Sequence, residues 1–491
     1  MTNMQKTRLI KIDPITRLEG HAKIHILLDK KGDVDEAYFQ TVELRGFEKF
    51  CEGRPVEEMP NITTRICGVC PWNHHLASAK AADAVYSVDP PEAAKKIREL
   101  GYCAFFVHDH STHFYALGGP DFIVGPGAPP SERNIAGVLK KVSVEAGRNV
   151  LKALRYAHEI EEIVGGRAIH PVFAVPGGVS RPLSESDCGK IQEMAKFLLD
   201  HSKFTVDIFE DTVLKNKKHF DLVTDDSYRL RTFYMGMVDD HGKMNLYDGR
   251  LRIIDPEGGQ FALFEPREYL KHLSEHVESW TYLKFPYLKN VGWKGLTEGK
   301  NSGVYRVGPL ARFNVADGIA TPLAQAAYEK MFEILRKPAH ETLAYHWARV
   351  IETLYASERL LELAQDPDVR SDKVRTIPTA TPKEGVGAIE APRGTLIHHY
   401  RTDPEGIMQA VNLIVATTHN HAGICMSVKR AAQSLIRKGK ADGEVLNMVE
   451  MAFRAYDPCL ACATHTLPGK MPLEIDVYSP EKKLIKRMRR L

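Results

Sequence analysis

Apolar and polar residues alternate near the start of the chain. Between His21 and Glu43, Ile24 and Ile26 stand among charged neighbours, and the alternation breaks at Lys30-Lys31-Gly32-Asp33. Two alternating runs joined by a short turn that contains glycine are typical of a β-hairpin. The sequence therefore predicts a hairpin in the N-terminal part of the chain.

From Pro71 onward the apolar residues recur with helical spacing. Ala-rich or amphipathic stretches, opened by proline or serine, predict helices at about 74–88, 91–117 and 131–163. Helices are predicted again at about 320–363 and 404–456. A Pro/Thr-rich connection, TIPTATPKEGVGAIEAPRG, lies between these last two stretches.

The region at about 221–312 is richer in glycine, aspartate and tyrosine, and it contains short β-like runs such as RLRIID. This composition predicts an α+β lobe inserted between the helical parts. The predicted fold class is α+β and predominantly helical, with a central bundle of long helices, the N-terminal β-hairpin and the inserted lobe. We expect one large domain over residues 1–465 and a C-terminal extension over 466–491.

Charge and hydropathy argue against two classes of protein. The 66 Lys+Arg and 63 Asp+Glu leave a net charge of only +3, which does not favour nucleic-acid binding. No run approaches the roughly 18 apolar residues of a membrane helix, and the first residues lack the apolar core of a signal peptide. A cytoplasmic location with no membrane span is predicted, and export on the signal of a partner stays open.

Four of the eight cysteines form two Cys-x-x-Cys pairs, Cys67/Cys70 and Cys459/Cys462. Two intervening residues let both sulfurs of a pair face one metal ion. Spacing alone leaves three alternatives: a structural zinc site, a thioredoxin-like redox pair, and a buried catalytic metal site that joins the chain ends. The 389 residues from Cys70 to Cys459 disfavour a zinc ribbon, in which the pairs lie close in sequence.

The residues that flank the pairs resemble a known family. ITTRICGVCPWNHHLA and AYDPCLACATHTLPGKMPL closely resemble the two signature motifs of the large subunit of nickel-iron hydrogenases, in the family's order. IDPITRLEGHAKI, RGFEKF, HDHSTHFY, GGRAIHP and EAPRG are similar to further blocks of that family. The resemblance spans nearly the whole chain apart from the middle lobe.

The resemblance implies that the four cysteines hold a nickel-iron centre. Cys67 and Cys459 would be terminal nickel ligands, and Cys70 and Cys462 would bridge nickel and iron. Soft thiolates suit such a redox site. Carbon monoxide and two cyanides would complete the iron. The implied activity is the reversible heterolytic cleavage of H2 to protons and electrons, which would make this chain the catalytic subunit of a hydrogenase.

The resemblance also assigns roles to four charged residues. Glu19, in RLEGH, would carry the proton away from the centre, because burial beside sulfur favours the neutral carboxyl group. Arg393 would lie over the open face of the metals, where its guanidinium stays protonated and offers donors in a fixed fork. Asp109 and Asp457 would hold Arg393 in place.

Other residues would support the centre or bind a second cation. By resemblance, His74 would hydrogen-bond a bridging sulfur and Thr417 would donate to a cyanide. Glu48 and His465 would hold a separate Mg2+ or Fe2+ ion, with a backbone carbonyl near residues 413–414.

Three clustered histidines invite a metal assignment. His108, His110 and His113 fall on several faces of a predicted helix. We therefore expect core or hydrogen-bonding histidines there rather than metal ligands.

The C-terminal extension is basic. Seven basic and three acidic residues give 466–491 a net charge of +4, which alone indicates a solvated tail. In many members of the family a maturation endopeptidase removes the peptide after the last motif histidine. The resemblance therefore implies cleavage between His465 and Thr466.

The chain looks most like the cytoplasmic, multi-subunit bidirectional branch of the family. That branch implies an iron-sulfur small subunit together with further flavin and iron-sulfur subunits, which pass electrons to NAD(P), ferredoxin or a similar soluble acceptor. Two alternatives come from other classes. One is a metal-free quinone-site subunit related to respiratory complex I, against which the four cysteines count. The other is a zinc-clasped scaffold or a hydrogen sensor.

Overall fold

The computed structural model describes residues 8–464, 473–479 and 483–490. Its α-helices are α1 Phe47–Cys51, α2 Met59–Thr63, α3 Pro71–Val85, α4 Glu92–Thr112, α5 Pro120–Ile123, α6 Ile135–Lys141, α7 Val144–Gly165, α8 Glu185–Phe209, α9 Lys217–Val223, α10 Tyr269–His272, α11 Pro309–Val315, α12 Pro322–Leu335, α13 Ala344–Gln365, α14 Ala416–Leu435, α15 Gly443–Arg454 and α16 Leu460–Ala463. The strands are β1 Arg8–Ile12, β2 Ala22–Leu28, β3 Val34–Thr41, β4 Ala174–Val175, β5 Gly178–Val179, β6 Phe233–Val238, β7 Arg250–Ile254, β8 Gln260–Phe264, β9 Leu273–His276, β10 Phe285–Leu288, β11 Tyr305–Arg306, β12 Glu384–Ala391, β13 Gly394–Thr402, β14 Met408–Ile414, β15 Leu473–Tyr478 and β16 Leu484–Arg490.

Four long helices form the centre of the molecule. Helix α13 packs against α4 and α8, and α7 packs against the same two helices, which closes a four-helix bundle. The starts of α7 and α8 follow from their caps, because Ser143 accepts from the Ala146 amide and Ser184 forms a capping box with Asp187. The predicted helix-rich α+β class is confirmed. In the part of the chain described here, no helix is long and apolar enough to cross a membrane.

The N-terminal hairpin is confirmed and gains a third strand. Strands β2 and β3 pair antiparallel. The turn between them is closed by the Asp29 amide, which donates to the Asp33 carbonyl at 2.8 Å. Strand β1 pairs with the other edge of β2. Helix α14 packs on β3 and on α15, so this sheet is part of the same hydrophobic core as the C-terminal helices.

The inserted lobe contains strands β6 to β11, all of which fall within 221–312. Strands β11, β6, β7 and β8 form one sheet in that order, and β9 pairs with β10. Met235, Leu251 and Phe264 of the lobe share a second hydrophobic core with Ile397 and Ile414 of another sheet. The lobe therefore packs onto the rest of the molecule through apolar side chains.

One part of the sequence-based prediction is wrong. Residues 384–414 form the antiparallel sheet β12-β13-β14, where the sequence predicted a connection and the start of a helix. Strand β13 is buried on both faces, so its residues lack the alternation that reveals a half-exposed strand. Gly385 and Gly387 let β12 lie directly on α3, because a Cβ atom there would meet the α3 backbone within 2.5 Å.

Candidate metal centre

The four paired cysteines meet in one buried pocket, which we call the four-sulfur pocket. The Sγ atom of Cys459 lies 3.4 Å from that of Cys67, 3.8 Å from that of Cys70 and 3.0 Å from that of Cys462. The Cys70 and Cys462 sulfurs are 2.9 Å apart. All four are free cysteines and at most 2% exposed. The structure thus brings the two pairs together from opposite ends of the chain, as expected.

The local backbone turns each sulfur inward. Cys67 ends a short helical turn in extended conformation, and the amides of Val69 and Cys70 donate to its sulfur at 3.3 and 3.4 Å. Cys70 caps α3, whose first residue is Pro71, and Cys459 caps the short helix α16. Both pairs therefore sit where a loop gives way to a helix.

Arg45 connects the two pairs. Its guanidinium donates to the carbonyls of Ile66 and Ala461, which directly precede Cys67 and Cys462. The Arg45 amide also donates to the Thr464 carbonyl at 2.7 Å. We did not predict this role from the sequence, although Arg45 opens the RGFEKF block that carries part of the family resemblance.

The donor chemistry of the pocket fits a soft metal centre. Burial raises the pKa of Cys459 and of Cys462 well above the ordinary value of a thiol. Hydrogen bonds from the surrounding thiols lower the pKa of Cys67 instead. Four thiolates can coexist in such a buried space only when cations balance their charge. Nickel and iron both accept thiolate ligands and meet that requirement.

Glu19 lies against Cys459. The Cys459 thiol donates to Oε2 of Glu19 at 3.1 Å, and the Ala461 amide donates to the same oxygen at 2.9 Å. Burial raises the pKa of this carboxyl group. The next residue, Gly20, has φ of +87°, and a Cβ atom there would lie 2.8 Å from Cβ of Leu460. Glycine is therefore what allows the N-terminal segment to approach the pocket.

Arg393 lies in the two-residue turn between β12 and β13, which the pairing of Ala391 with Gly394 defines. Its Nη1 donates to Oδ2 of Asp109 at 3.0 Å. Its Nη2 lies 2.9 Å from Oδ2 of Asp457, an ion pair without hydrogen-bond geometry. All three charged side chains are buried. The structure thus brings Arg393 together with both of the predicted aspartates.

Burial and neighbouring charges shift the pKa values of the ionisable groups around Arg393. Burial alone would lower the pKa of Arg393, but Asp109 and Asp457 together raise it well above its ordinary value. Burial raises the pKa of Asp457 to about 7, against the opposing effect of Arg393. A second buried arginine, Arg349, has its pKa lowered to about 10 by burial, while Asp457 opposes the shift. The sequence does not reveal Arg349, because a buried arginine in a helix cannot be told from a surface one by its spacing.

Thr417 contacts the pocket, and His74 lies four residues after Cys70 in the chain. The Thr417 hydroxyl oxygen accepts from the Cys459 amide at 3.0 Å, which leaves its own hydrogen available to donate. His74 is buried on α3, and its Nδ1 lies 3.1 Å from Nε2 of His398. The predicted contact of His74 with a bridging sulfur stays a prediction.

The predicted second cation site is described in part. Oε1 of Glu48 accepts from the Leu413 amide at 2.8 Å, so this carboxylate lies beside the strand in which we expected a carbonyl ligand. His465 and its bond to Thr466 lie outside the described residues. Glu48 and the strand end are thus adjacent, and the complete ligand set stays a prediction.

Each of the three clustered histidines has a hydrogen-bonding partner. His110 pairs with Glu352 at 2.9 Å, and Nε2 of His113 lies 3.0 Å from the carbonyl of Arg454. His108 contacts His158 at 2.8 Å and lies nearer the surface than the other two. None of the three joins the four-sulfur pocket in the described structure.

Comparison with known proteins gives the family. A model described as nickel-dependent hydrogenase matches residues 45–128 and 269–465, which is more than half of the chain. A model described as HoxL-like matches residues 9–44. The first match includes all four cysteines of the pocket, and the second includes Glu19.

Relatives over the full length agree. The chain is 51% identical over 482 residues to the iron-sulfur subunit of the F420-non-reducing hydrogenase of Archaeoglobus profundus, with 98% of this chain and 99% of the relative covered. It is 38% identical to the NAD-reducing hydrogenase HoxS subunit beta of Cupriavidus necator, with the same two shares covered. A crystal structure of NAD+-reducing [NiFe]-hydrogenase in the H2-reduced state superposes with a TM-score of 0.87 at 37% identity, covering 94% of this chain and all of that one. The chain therefore belongs to the nickel-dependent hydrogenase family and is the catalytic subunit of such an enzyme.

Proposed function

We propose that this chain cleaves H2 reversibly and heterolytically into two protons and two electrons at a nickel-iron centre held in the four-sulfur pocket. The observation that carries the proposal is the 3.1 Å contact between the Cys459 sulfur and Oε2 of Glu19. It joins a metal-binding thiolate to a group that can take a proton. When bound, the centre would polarise H2 and accept its electrons, with carbon monoxide and two cyanides on the iron.

The cysteines divide into two roles in this proposal. Cys70 and Cys462 would hold both nickel and iron, and Cys67 and Cys459 would hold nickel alone. All four sulfurs lie close enough to share one centre, and the division between them comes from the family resemblance.

Glu19 takes the proton that Cys459 releases. Its Oε2 is positioned by the Ala461 amide as well as by the thiol, so the acceptor oxygen is held in place before a proton arrives. Because Glu19 is only half-buried, it connects the pocket with the outer part of the protein.

Arg393 provides a fixed positive charge beside the metals. Its Nε is buried and has no hydrogen-bond partner among the described residues, and the Thr417 hydroxyl hydrogen is also free to donate. A buried donor without an acceptor is costly, so these groups fit anionic cyanide ligands. Asp109 and Asp457 position Arg393 through the contacts at its two terminal nitrogens.

An iron-sulfur small subunit receives the electrons. Among the described residues the cysteines outside the pocket stand alone, so this chain offers no second cysteine cluster for electron transfer. We group four exposed apolar side chains, Phe50, Val69, Ile169 and Val172, as one surface, because the His170 ring contacts the Thr64 carbonyl just before the Cys67 pair. Val69 lies between Cys67 and Cys70 and is 43% exposed. We assign this surface, the apolar docking surface, to the small subunit.

The docking assignment has a direct test. Val69→Glu should prevent co-purification of the small subunit with the tagged catalytic subunit, because a charge would be buried at the contact. Val144→Glu is the matched control, since Val144 is a 73% exposed valine outside the docking surface. Equal recovery of the small subunit with both variants would contradict the assignment.

The proposed terminal acceptor is NAD(P), reached through further flavin and iron-sulfur subunits in the cytoplasm. The relative from Cupriavidus necator and the superposed structure are both named for NAD reduction, and the relative from Archaeoglobus profundus is named for not reducing F420. The purified complex should therefore reduce NAD+ or NADP+ with H2. Reduction of ferredoxin alone would contradict this choice of acceptor and leave the hydrogenase reaction standing.

A second cation and a maturation step complete the proposal. Glu48 and a carbonyl near Leu413 would hold Mg2+ or Fe2+ with His465. An endopeptidase would then remove residues 466–491, in which strands β15 and β16 pair as a hairpin. The intact mass of the active subunit checks this step, because it should end at His465.

Infrared spectroscopy tests the central claim. The purified complex should show stretching bands of one carbon monoxide and two cyanides bound to iron. Metal-loaded protein that shows none of these bands would refute the nickel-iron assignment. Zinc as the only metal found would favour the scaffold alternative instead.

A further inference from the structure

A second group of metal-binding side chains lies where α4 and α7 pack together. His158 and Glu161 stand three residues apart on α7 and share one face of that helix, and His108 faces them from α4. The two histidine Nε2 atoms are 2.8 Å apart, and Nδ1 of His108 lies 3.5 Å from Oε1 of Glu161. One donor atom from each residue lies within 4.8 Å of the others. We call this group the histidine cluster.

The cluster contains polar atoms without a partner. Oε1 of Glu161 and Nδ1 of His108 are buried and make no hydrogen bond. The Glu161 side chain is only 2% exposed, and among the described residues no lysine or arginine lies within 4 Å of its carboxylate. Native proteins rarely leave a carboxylate buried in this way. A cation bound to Nδ1 of His108 and Oε1 of Glu161 would satisfy both orphaned atoms.

The protonation states also suit a cation. Burial lowers the pKa of His108 to about 4 and lowers that of His158, so both imidazoles are neutral near pH 7 and can bind metal. Burial raises the pKa of Glu161 well above its ordinary value, and nearby Asp109 adds to the effect.

We propose that His108, His158 and Glu161 form a second metal site that takes a divalent transition-metal cation of the zinc type. Two imidazoles and one carboxylate are a common zinc donor set, and such sites keep a fourth position for water. Tetrahedral zinc with bonds of about 2.0–2.2 Å separates its donor atoms by roughly 3.3–3.5 Å. The 3.5 Å distance between Nδ1 of His108 and Oε1 of Glu161 already meets this requirement. The His158 ring must turn or shift to reach the same ion, because its Nε2 contacts the other nitrogen of His108 at 2.8 Å.

The histidine cluster is accessible to a cation from solvent, and it adjoins the part of α4 that anchors Arg393. His158 is half-buried and the His108 side chain is 20% exposed, so a cation can reach the cluster from solvent. The bound ion would tie α7 to α4 at His108, the residue before Asp109. It would thereby fix the part of α4 that anchors Arg393. The site is separate from the four-sulfur pocket in donor type, because imidazole and carboxylate are harder ligands than thiolate.

Zinc binding to the assembled hydrogenase complex tests the site. The complex is equilibrated with zinc chloride at micromolar free zinc and desalted, and its zinc, nickel and iron contents are measured by mass spectrometry. We expect one zinc per catalytic subunit beyond the starting content. Glu159→Gln should keep this zinc, because Glu159 is on the same helix but 46% exposed and paired with Arg155. His158→Gln and Glu161→Gln should each weaken zinc binding at least tenfold.

His158→Gln is the decisive variant, because His158 is half-buried. Glu161→Gln changes a buried group and therefore tests packing as well as metal binding. Equal zinc contents in the parent complex and in His158→Gln, at unchanged nickel content, would overturn the proposal. Zinc-edge X-ray absorption provides an independent check. Two imidazoles and oxygen are expected around the zinc, and sulfur ligands would show that the zinc had bound to cysteines instead.

Discussion

The four-sulfur pocket and the histidine cluster are two candidate metal sites built in opposite ways. The pocket takes its ligands from segments 392 residues apart, and every sulfur is at most 2% exposed. The histidine cluster takes its ligands from two helices that pack in the central bundle, 50 residues apart for the two histidines, and one ligand is half-buried. The first can form only when the whole chain has folded, whereas the second needs only α4 and α7.

This difference predicts different exchange behaviour. A metal enclosed by soft donors from both chain ends should be inserted once and kept, because its release requires the ends to separate. A metal held by two helices near the surface should equilibrate with free metal in solution. Burial and sequence separation of the ligands thus distinguish a permanent cofactor from an exchangeable ion in the same molecule.

Replacing Cys459 with serine should have the largest effect. A serine hydroxyl does not ionise near neutral pH and is a poor ligand for nickel, so nickel and H2 oxidation should both be lost. Metal analysis and an assay with an artificial dye check this outcome. Cys425→Ala is the control, since Cys425 is equally buried on α14 and lies outside the pocket. Full nickel content and normal activity in Cys459→Ser would contradict the proposed ligand set.

Glu19→Gln should come next, with a loss of about 1000-fold in hydrogen-deuterium exchange, within the range expected for a general base. The amide keeps the shape and the hydrogen bond from Ala461 but cannot take a proton. Nickel content should stay unchanged. Glu43→Gln is the matched control, because Glu43 accepts from the His21 amide nearby and does not contact a cysteine sulfur in the described structure. An active Glu19→Gln enzyme would exclude Glu19 from the proton path.

Arg393→Lys should reduce H2 oxidation about 100-fold, equivalent to about 2.7 kcal/mol of activation free energy, with the centre assembled. A lysine ammonium cannot contact Asp109 and Asp457 in the forked geometry of arginine. Arg98→Lys provides the comparison, since Arg98 forms an equally buried pair with Asp83 at 2.6 Å away from the metals. It should lower stability but keep activity per nickel. Similar rates for both variants, per nickel, would remove Arg393 from the mechanism.

Chelation should have the smallest effect on activity, and it tests most directly whether the two sites differ in access to metal. Brief EDTA treatment of zinc-loaded complex should remove zinc from the histidine cluster and leave nickel in place. H2 oxidation should change less than twofold, because the sulfur ligands stay enclosed. Nickel loss in parallel with zinc loss would show that the two sites do not differ in access as their burial indicates.

Sequence alone predicts the pocket well because each part of it is carried by a short sequence motif. Each Cys-x-x-Cys pair is a short motif with characteristic neighbours, and the same holds for Glu19 in RLEGH and Arg393 in EAPRG. The predicted helices and N-terminal hairpin also follow from periodicity within one element. The family motifs predict the role of Arg393 and its two aspartate partners. They do not predict the β-hairpin that carries Arg393, because the pattern of residues there indicates a connection.

What the sequence could not give depends on packing between distant segments. Arg45 bonds to carbonyls that precede two cysteines, and a backbone contact has no sequence signature. The histidine cluster is hidden in the sequence because helical periodicity relates His108 only to its own neighbours on α4. The spacing of His158 and Glu161 is a usable signal, but it gains meaning only when α7 is known to pack on α4.

Glu19 and Cys459 form a short parallel bridge, which cannot exist until both ends of the chain have been synthesised. The ribosome must add 389 residues after Cys70 before Cys459 exists, which takes roughly 20 to 80 s at ordinary translation speeds. During that time Cys67, Cys70 and Glu19 are present without Cys459 and Cys462, with which they form the site. Translation therefore sets the earliest moment at which all four sulfurs can hold the metals, and the proposed removal of residues 466–491 would come after it.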